Sequence, residues 1–214
     1  MWDRSETAIS DDGRNQYIVI PRADHRLRLY VGRRTDDPEQ LKGPATIAAF
    51  LESYRTPIFP NRDALAASTP IGPCATSPMN DAWTDEPIVS GAALIGDAAR
   101  WSNPVTAQRL SITMRDARVL SEVLLDNADW TRDSLAGYAE ECRTRMSRLR
   151  FAGALTDLIA GFGMTDRAAR RSRMLKKLKQ NPELGRALDA VHAGPWVAPA
   201  EAYSPDILTT LALV

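Results

Sequence analysis

The chain has 214 residues, enough for one large domain or two small ones, and its 44% hydrophobic and 25% charged content predicts a packed globular core. Lys+Arg and Asp+Glu both total 27, so no overall field draws nucleic acid or an anionic membrane. Two cysteines, Cys74 and Cys142, are too few for a disulfide scaffold; the polar start MWDRSETAIS is no signal peptide, and no window reaches the roughly 18 apolar residues of a membrane span, so a cytoplasmic location is expected.

Residues 17–20 (Tyr-Ile-Val-Ile) and 26–31 (Arg-Leu-Arg-Leu-Tyr-Val) read as two strands. The second alternates, with Leu27, Leu29 and Val31 on one face and Arg26, Arg28 and Tyr30 on the other, and the short linker predicts an antiparallel hairpin. Residues 39–54 suit a helix, Pro44 being a natural first residue for it. Prolines 57, 60, 70, 73, 78 and 87 make the following stretch irregular, with short strands expected near Leu65–Ser68 and Cys74–Thr76.

Residues 88–95 are apolar almost throughout, which predicts a strand covered on both faces. A polar loop containing Pro104 leads to a helix from about Gln108 to Asn127, with Leu110, Met114, Ala117 and Leu120 or Leu124 marking its apolar face and Asp116 and Arg118 the opposite one. Thr131 or Asp129 can cap a long helix through Leu158, with Gly153 as a point of interruption. Residues 165–179 hold seven basic residues on a solvated helical face, residues 182–193 form a last helix, and 194–205 a loop.

The chemistry available is restricted. His25 and His192 lie far apart, no Cys-x-x-Cys or His-x-x-x-His box exists, and Ser111 has no evident base, so no metal site and no catalytic acid, base or nucleophile is expected. Residues 91–120 are different. A Gly ending an apolar run lets a bulky ligand approach the backbone, the next Asp can accept hydrogen bonds from hydroxyls, and a helix N-terminus offers free N–H groups to an electron-rich group. An Asp capping an ordinary turn is the bland alternative.

That string resembles the second FAD-binding motif of flavoprotein monooxygenases of the para-hydroxybenzoate hydroxylase type. Gly96-Asp97-Ala98-Ala99, Pro104, Gln108, Leu110 and Arg115-Asp116-Ala117 carry the match. Fainter likenesses extend it over most of residues 16–210: Ile18-Val19-Ile20-Pro21, Gly72-Pro73-Cys74-Ala75-Thr76 and Tyr138-Ala139-Glu140-Glu141-Cys142. The resemblance implies an α/β fold, the C-terminal half of a two-domain FAD-binding architecture with a mixed β-sheet region and a helical C-terminal region. Residues 1–87 would supply part of a substrate-domain sheet, 88–128 the FAD-contacting strand, loop and helix, and 129–214 the helical region. It implies that Asp97 holds the ribityl chain and that the N–H groups around Leu110 and Ser111 face the pyrimidine edge of the flavin. NADPH would be the co-substrate, and a small organic molecule would be hydroxylated.

Two departures stand against that pattern. The motif's glycines are Ala107 and Arg109 here, and the Arg109 side chain would obstruct the flavin. No Gly-x-Gly-x-x-Gly occurs anywhere, so the pyrophosphate cradle would have to come from an N-terminal half or a partner chain. The 88–95 strand is then expected to expose apolar side chains around Ile88, Val89, Leu94 and Ile95. The competing expectation is a non-catalytic truncated or degenerate paralogue acting as a binding module.

Overall fold

A computed structural model of the chain describes residues 6–39, 41, 46–102, 107–161, 164 and 166–213. It is a mixed α/β structure of small antiparallel sheets and several helices, in two compact units: Met1–Ser77 with Phe162–Arg167, and Pro78–Gly161 with Ala168–Val214.

In the first unit β1 (Ala8–Asp11), β2 (Asn15–Pro21) and β3 (Leu27–Arg33) form an antiparallel meander, with Tyr17 opposite Val31 and Val19 opposite Leu29. The expected hairpin is present. Asp24 and His25 both adopt left-handed φ (58° and 56°), the conformation a two-residue turn needs to match strand twist, and His25 is spent there on geometry. Alternation turns Asn15, Tyr17 and Val19 inward against α1 (Thr46–Ser53) and α2 (Arg62–Ala66). Tyr17, Tyr54 and Phe59 meet with ring centroids 5.2–5.8 Å apart, two of the three contacts edge-on. The Tyr54 hydroxyl donates to the Tyr30 carbonyl at 2.7 Å, so the ring's polar tip is satisfied inside the core.

Three expectations change here. The helix begins at Thr46, and the expected start at Pro44 lies outside the described residues. The strand expected at Leu65–Ser68 is replaced by α2, whose one buried side chain, Leu65, fills the core. Cys74–Thr76 pairs with no strand, because the neighbouring prolines withhold ladder donors.

In the second unit the apolar run 88–95 is not one covered strand. It folds back on itself as β5 (Ile88–Val89) and β6 (Ala92–Ala93), turning through Gly91 at φ 79°. Ile88 enters the core while Val89 is 57% exposed, so the expected apolar exposure holds for one of these two neighbours only. β4 (Ala82–Trp83) pairs with β7 (Arg100–Trp101). The sheets among the described residues are all antiparallel, where a mixed sheet was expected.

α3 (Arg109–Asp126) and α4 (Ala136–Ala160) follow. α4 runs through Gly153 without a break and stops at Gly161, whose left-handed φ of 58° lets its N–H reach back to the Asp157 carbonyl at 2.9 Å. One end of α4 packs Tyr138, Ala139 and Cys142 against Ile88 and the α3 side chains Val119 and Val123. Its other end packs Leu155 against Met174 of α5 (Arg167–Gln180) and Ala187. α5 is the expected basic helix. Residues 182–193 form a 3-10 stretch, Pro182–Asp189, and the short α6 (Ala190–Ala193). α7 (Pro205–Ala212) was not anticipated, though Ser204 caps it with Pro205 as its first residue, a legible start signal.

Candidate functional site

The segment singled out in the sequence does assemble around one point. Ile95 is extended, and Gly96–Ala98 then form a single 3-10 turn. Asp97 thus sits on a turn rather than at the end of a buried strand. Gly96 adopts φ 53°, and a Cβ there would stand 2.5 Å from Thr113 Oγ1 of α3. Only glycine allows the turn to lie this close to the helix. The Gly96 N–H donates to Asp116 Oδ2 at 2.7 Å, so α3 grips the turn from below.

Asp116 is fully buried, against the expectation that it marked the solvent face of α3. Leu110 and Met114, expected inside, are 71% and 65% exposed. The true inward stripe is Ile112, Asp116, Val119 and Val123, and a carboxylate is tolerated in it because partners converge on it. Arg145 of α4 donates to Asp116 Oδ1, Arg100 of β7 lies 3.5 Å from Oδ2, and the Cys142 thiol contributes a weak donor at 3.5 Å. Arg145 also reaches Glu141 at 3.3 Å. Burial, reinforced by the Asp116 charge, pushes the Cys142 thiol up, which keeps it a neutral donor. The sequence carries the signal for this stripe, since Asp116 has Ile112, Val119 and Val123 four before, three after and seven after it.

Above this network Asp97 faces the start of α3. Gln108 is the residue before the helix, and its carbonyl accepts the Ile112 N–H at 2.9 Å. The amides of Arg109, Leu110 and Ser111 therefore have no acceptor within the helix. Ala107 holds φ 54°, a left-handed conformation that an alanine seldom adopts, at a position where the flavoprotein motif has glycine. Pro104 lies outside the described residues. Gln108 turns away from the turn: its Nε2 donates to the carbonyls of Ala190 and Val191 at 2.9 and 2.7 Å. It is a structural tie to α6.

Arg109 decides what the site can hold. Its Nε donates to Asp97 Oδ1 at 3.1 Å, its Nη2 to Oδ2, and its guanidinium lies 3.5 Å from the centre of the Trp101 ring. This bidentate, stacked geometry fixes the side chain across the mouth of the turn. The Arg109 side chain does not suit a flavin here, since it would have to leave Asp97 for a ribityl chain to take its place. Among the described residues no group of three or more His, Cys, Asp or Glu side chains is placed to hold a metal ion, and no helix is long and apolar enough to cross a membrane. Comparison with protein-family models, curated proteins and solved structures finds no match to this chain.

Proposed function

We propose that the chain is the flavin-contacting, C-terminal portion of an FAD-dependent monooxygenase, hydroxylating a small organic substrate with NADPH and O₂ when a dinucleotide-binding unit is also present. The observation that supports this reading is the Gly96–Asp97 turn, pressed onto α3 so closely that no Cβ fits and pinned there by Asp116. A left-handed residue at position 107 adds to it. In this reading Asp97 accepts from the ribityl hydroxyls, and the Leu110 and Ser111 amides receive the electron-rich pyrimidine edge. Bound FAD would supply the redox chemistry; the residues of this chain orient it and exclude water from its ring.

The Arg109–Asp97 pair favours a second reading, a non-catalytic paralogue that keeps the turn and has given up the cofactor. Riboflavin and FAD titrations, followed by flavin fluorescence, separate the two. The chain holds no Gly-rich cradle, so FAD should bind no more tightly than riboflavin, and both weakly. Each missing charge-assisted hydrogen bond forfeits about 1.5–3 kcal/mol. Arg109→Gly should strengthen riboflavin binding and Asp97→Ala should abolish it. A variant Arg109→Gly that binds no flavin supports the second reading. Tight stoichiometric FAD binding by the unaltered chain would show that the Asp97 turn holds the dinucleotide without a Gly-rich cradle.

A further inference from the structure

Leu110 and Met114 have the spacing of a core face, yet they stand on the outside of α3. Leu110, Met114, Arg118, Ser121 and Leu125 recur at four, four, three and four residues, which sets all five in one stripe about 80° wide, opposite the inward stripe of Ile112, Asp116, Val119 and Val123. The stripe is apolar at both ends. Leu110 and Met114 form one end, 71% and 65% exposed. At the other, Leu125 is 85% exposed, and the Trp130 ring, 69% exposed, is held beside it by the bond from its indole N–H to the Leu124 carbonyl at 3.1 Å. Between the ends Arg118 and Glu122, one turn apart, pair at 3.7 Å and are neutral in sum. The four apolar residues expose on the order of 500 Å², against about 800 Å² per partner in a specific interface, and Arg118, Ser121 and Glu122 add the intervening surface.

We propose that this face of α3 pairs with the same face of a second copy of the chain, the two helices antiparallel about a two-fold axis. Symmetry selects the occupant. Leu110 and Leu125 lie about 22 Å apart along the helix, and an axis crossing α3 midway, between Ala117 and Arg118, exchanges them. Leu110 of each copy then meets Leu125 of the other with the Trp130 ring beside it, and the long, pliant Met114 meets the short Ser121. A parallel pairing would set Met114 on Met114 and leave Ser121 facing Ser121, a crowded layer and an empty one, with the helix dipoles side by side. Arg118 and Glu122 lie on one flank of the stripe, so the axis places the two copies' ion pairs on opposite rims, where they stay in water, and the apolar ends fill the centre. The pairing uses outward side chains of α3 and is independent of what Asp97 holds.

The test is sedimentation equilibrium of the full chain without flavin. An interface of this size is a weak one, so a monomer–dimer equilibrium should appear between about 10 μM and 1 mM. Met114→Glu and Leu125→Glu, both at exposed positions, should each raise the dimer dissociation constant at least about tenfold with unchanged circular dichroism. Orientation is read by disulfide cross-linking in a Cys74→Ala background, Cys142 being buried. A Leu110→Cys chain mixed with a Leu125→Cys chain should cross-link, and neither should cross-link with itself. This second measurement does not require the Glu variants to fold. A monomer across the whole concentration range, an unchanged dissociation constant in either folded Glu variant, no mixed cross-link, or self-cross-linking of Leu110→Cys, the mark of a parallel pair, overturns the proposal. Each of these outcomes leaves the flavin titrations unaffected.

Discussion

The Gly96 N–H and the Asp116 carboxylate, twenty residues apart, are joined at 2.7 Å inside the second unit. That bond makes one side chain of α3 responsible both for the shape of the Gly96–Asp97 turn and for neutralising Arg100 and Arg145, each 2% exposed. Removing one partner from a buried ionic cluster is expensive because the others stay behind without compensation. Asp116→Ala should therefore cost about 3–5 kcal/mol, a large part of the stability of an ordinary domain. Asp116→Asn, which keeps one acceptor oxygen, should cost less. Urea unfolding of the two variants checks the order, and equal losses would show that the charge rather than the bond to Gly96 is what matters.

Gly96→Ala meets two separate obstacles. A left-handed φ of 53° costs a residue with a Cβ about 1–2 kcal/mol, and the new atom would press on Thr113 Oγ1 at 2.5 Å and Cγ2 at 3.0 Å. Thr113→Ala removes both of those atoms but not the backbone strain. The double variant should regain part of the stability lost in Gly96→Ala, by thermal or urea midpoint, and never all of it. Full recovery would mean the backbone is not strained at this position.

Local order was readable where a single residue dictates geometry. The β2–β3 hairpin followed from alternation and a five-residue linker, and α3 from its period and the Asn127 stop, whereas the Gly96–Asp97 turn stands where the end of a buried strand was expected. What failed was whatever depends on a partner far along the chain. Residues 88–95 were apolar enough for a strand, yet nothing local announced that Ser90-Gly91 would fold the run onto itself. Leu110 and Met114 have the right spacing for a core face, but Asp116 drags the other stripe inward because Arg100 and Arg145 wait for it, sixteen and twenty-nine residues away. Asp81 and Asp157, seventy-six residues apart, line one concavity beside α4, and nothing in the sequence announced it.

Asp157 also predicts a pH dependence. Its carboxyl is raised above the ordinary 3.8, by partial loss of solvent and then by the Asp81 charge. Between 3.8 and that raised value the folded chain holds more proton than the unfolded chain. The resulting contribution to stability is complete below the unfolded value and is lost as pH rises through the folded one. Asp157→Asn should melt higher than the parent at pH 7, and the gap should shrink as pH falls toward 4. A constant gap across that range would mean Asp157 titrates normally.

In the first unit the sign reverses. Partial burial opposes ionisation of Asp12, but the Asn15 amide at 2.7 Å, the Tyr17 hydroxyl at 2.8 Å and the Arg14 amide at 3.0 Å outweigh it and lower the carboxyl below 3.8. The stability this brings is present above the unfolded value and lost as pH falls through the folded one. Tyr17 is the inner end of the arrangement. It is 1% exposed, its hydroxyl also lies 3.0 Å from the Ser53 carbonyl, and burial followed by the hydrogen bond to Asp12 pushes it up to about 12. Tyr17→Phe keeps the ring contacts with Tyr54 and Phe59 but removes the single hydroxyl proton that Asp12 and the Ser53 carbonyl compete for, so it should cost about 1–3 kcal/mol at pH 7. The loss should narrow in acid, where protonated Asp12 no longer needs the hydroxyl, and Asp12→Asn should flatten the acid limb of the unfolding profile by itself. Tyr17→Phe with the same deficit at pH 3 as at pH 7 would assign the whole effect to Ser53 and release Asp12 from the network.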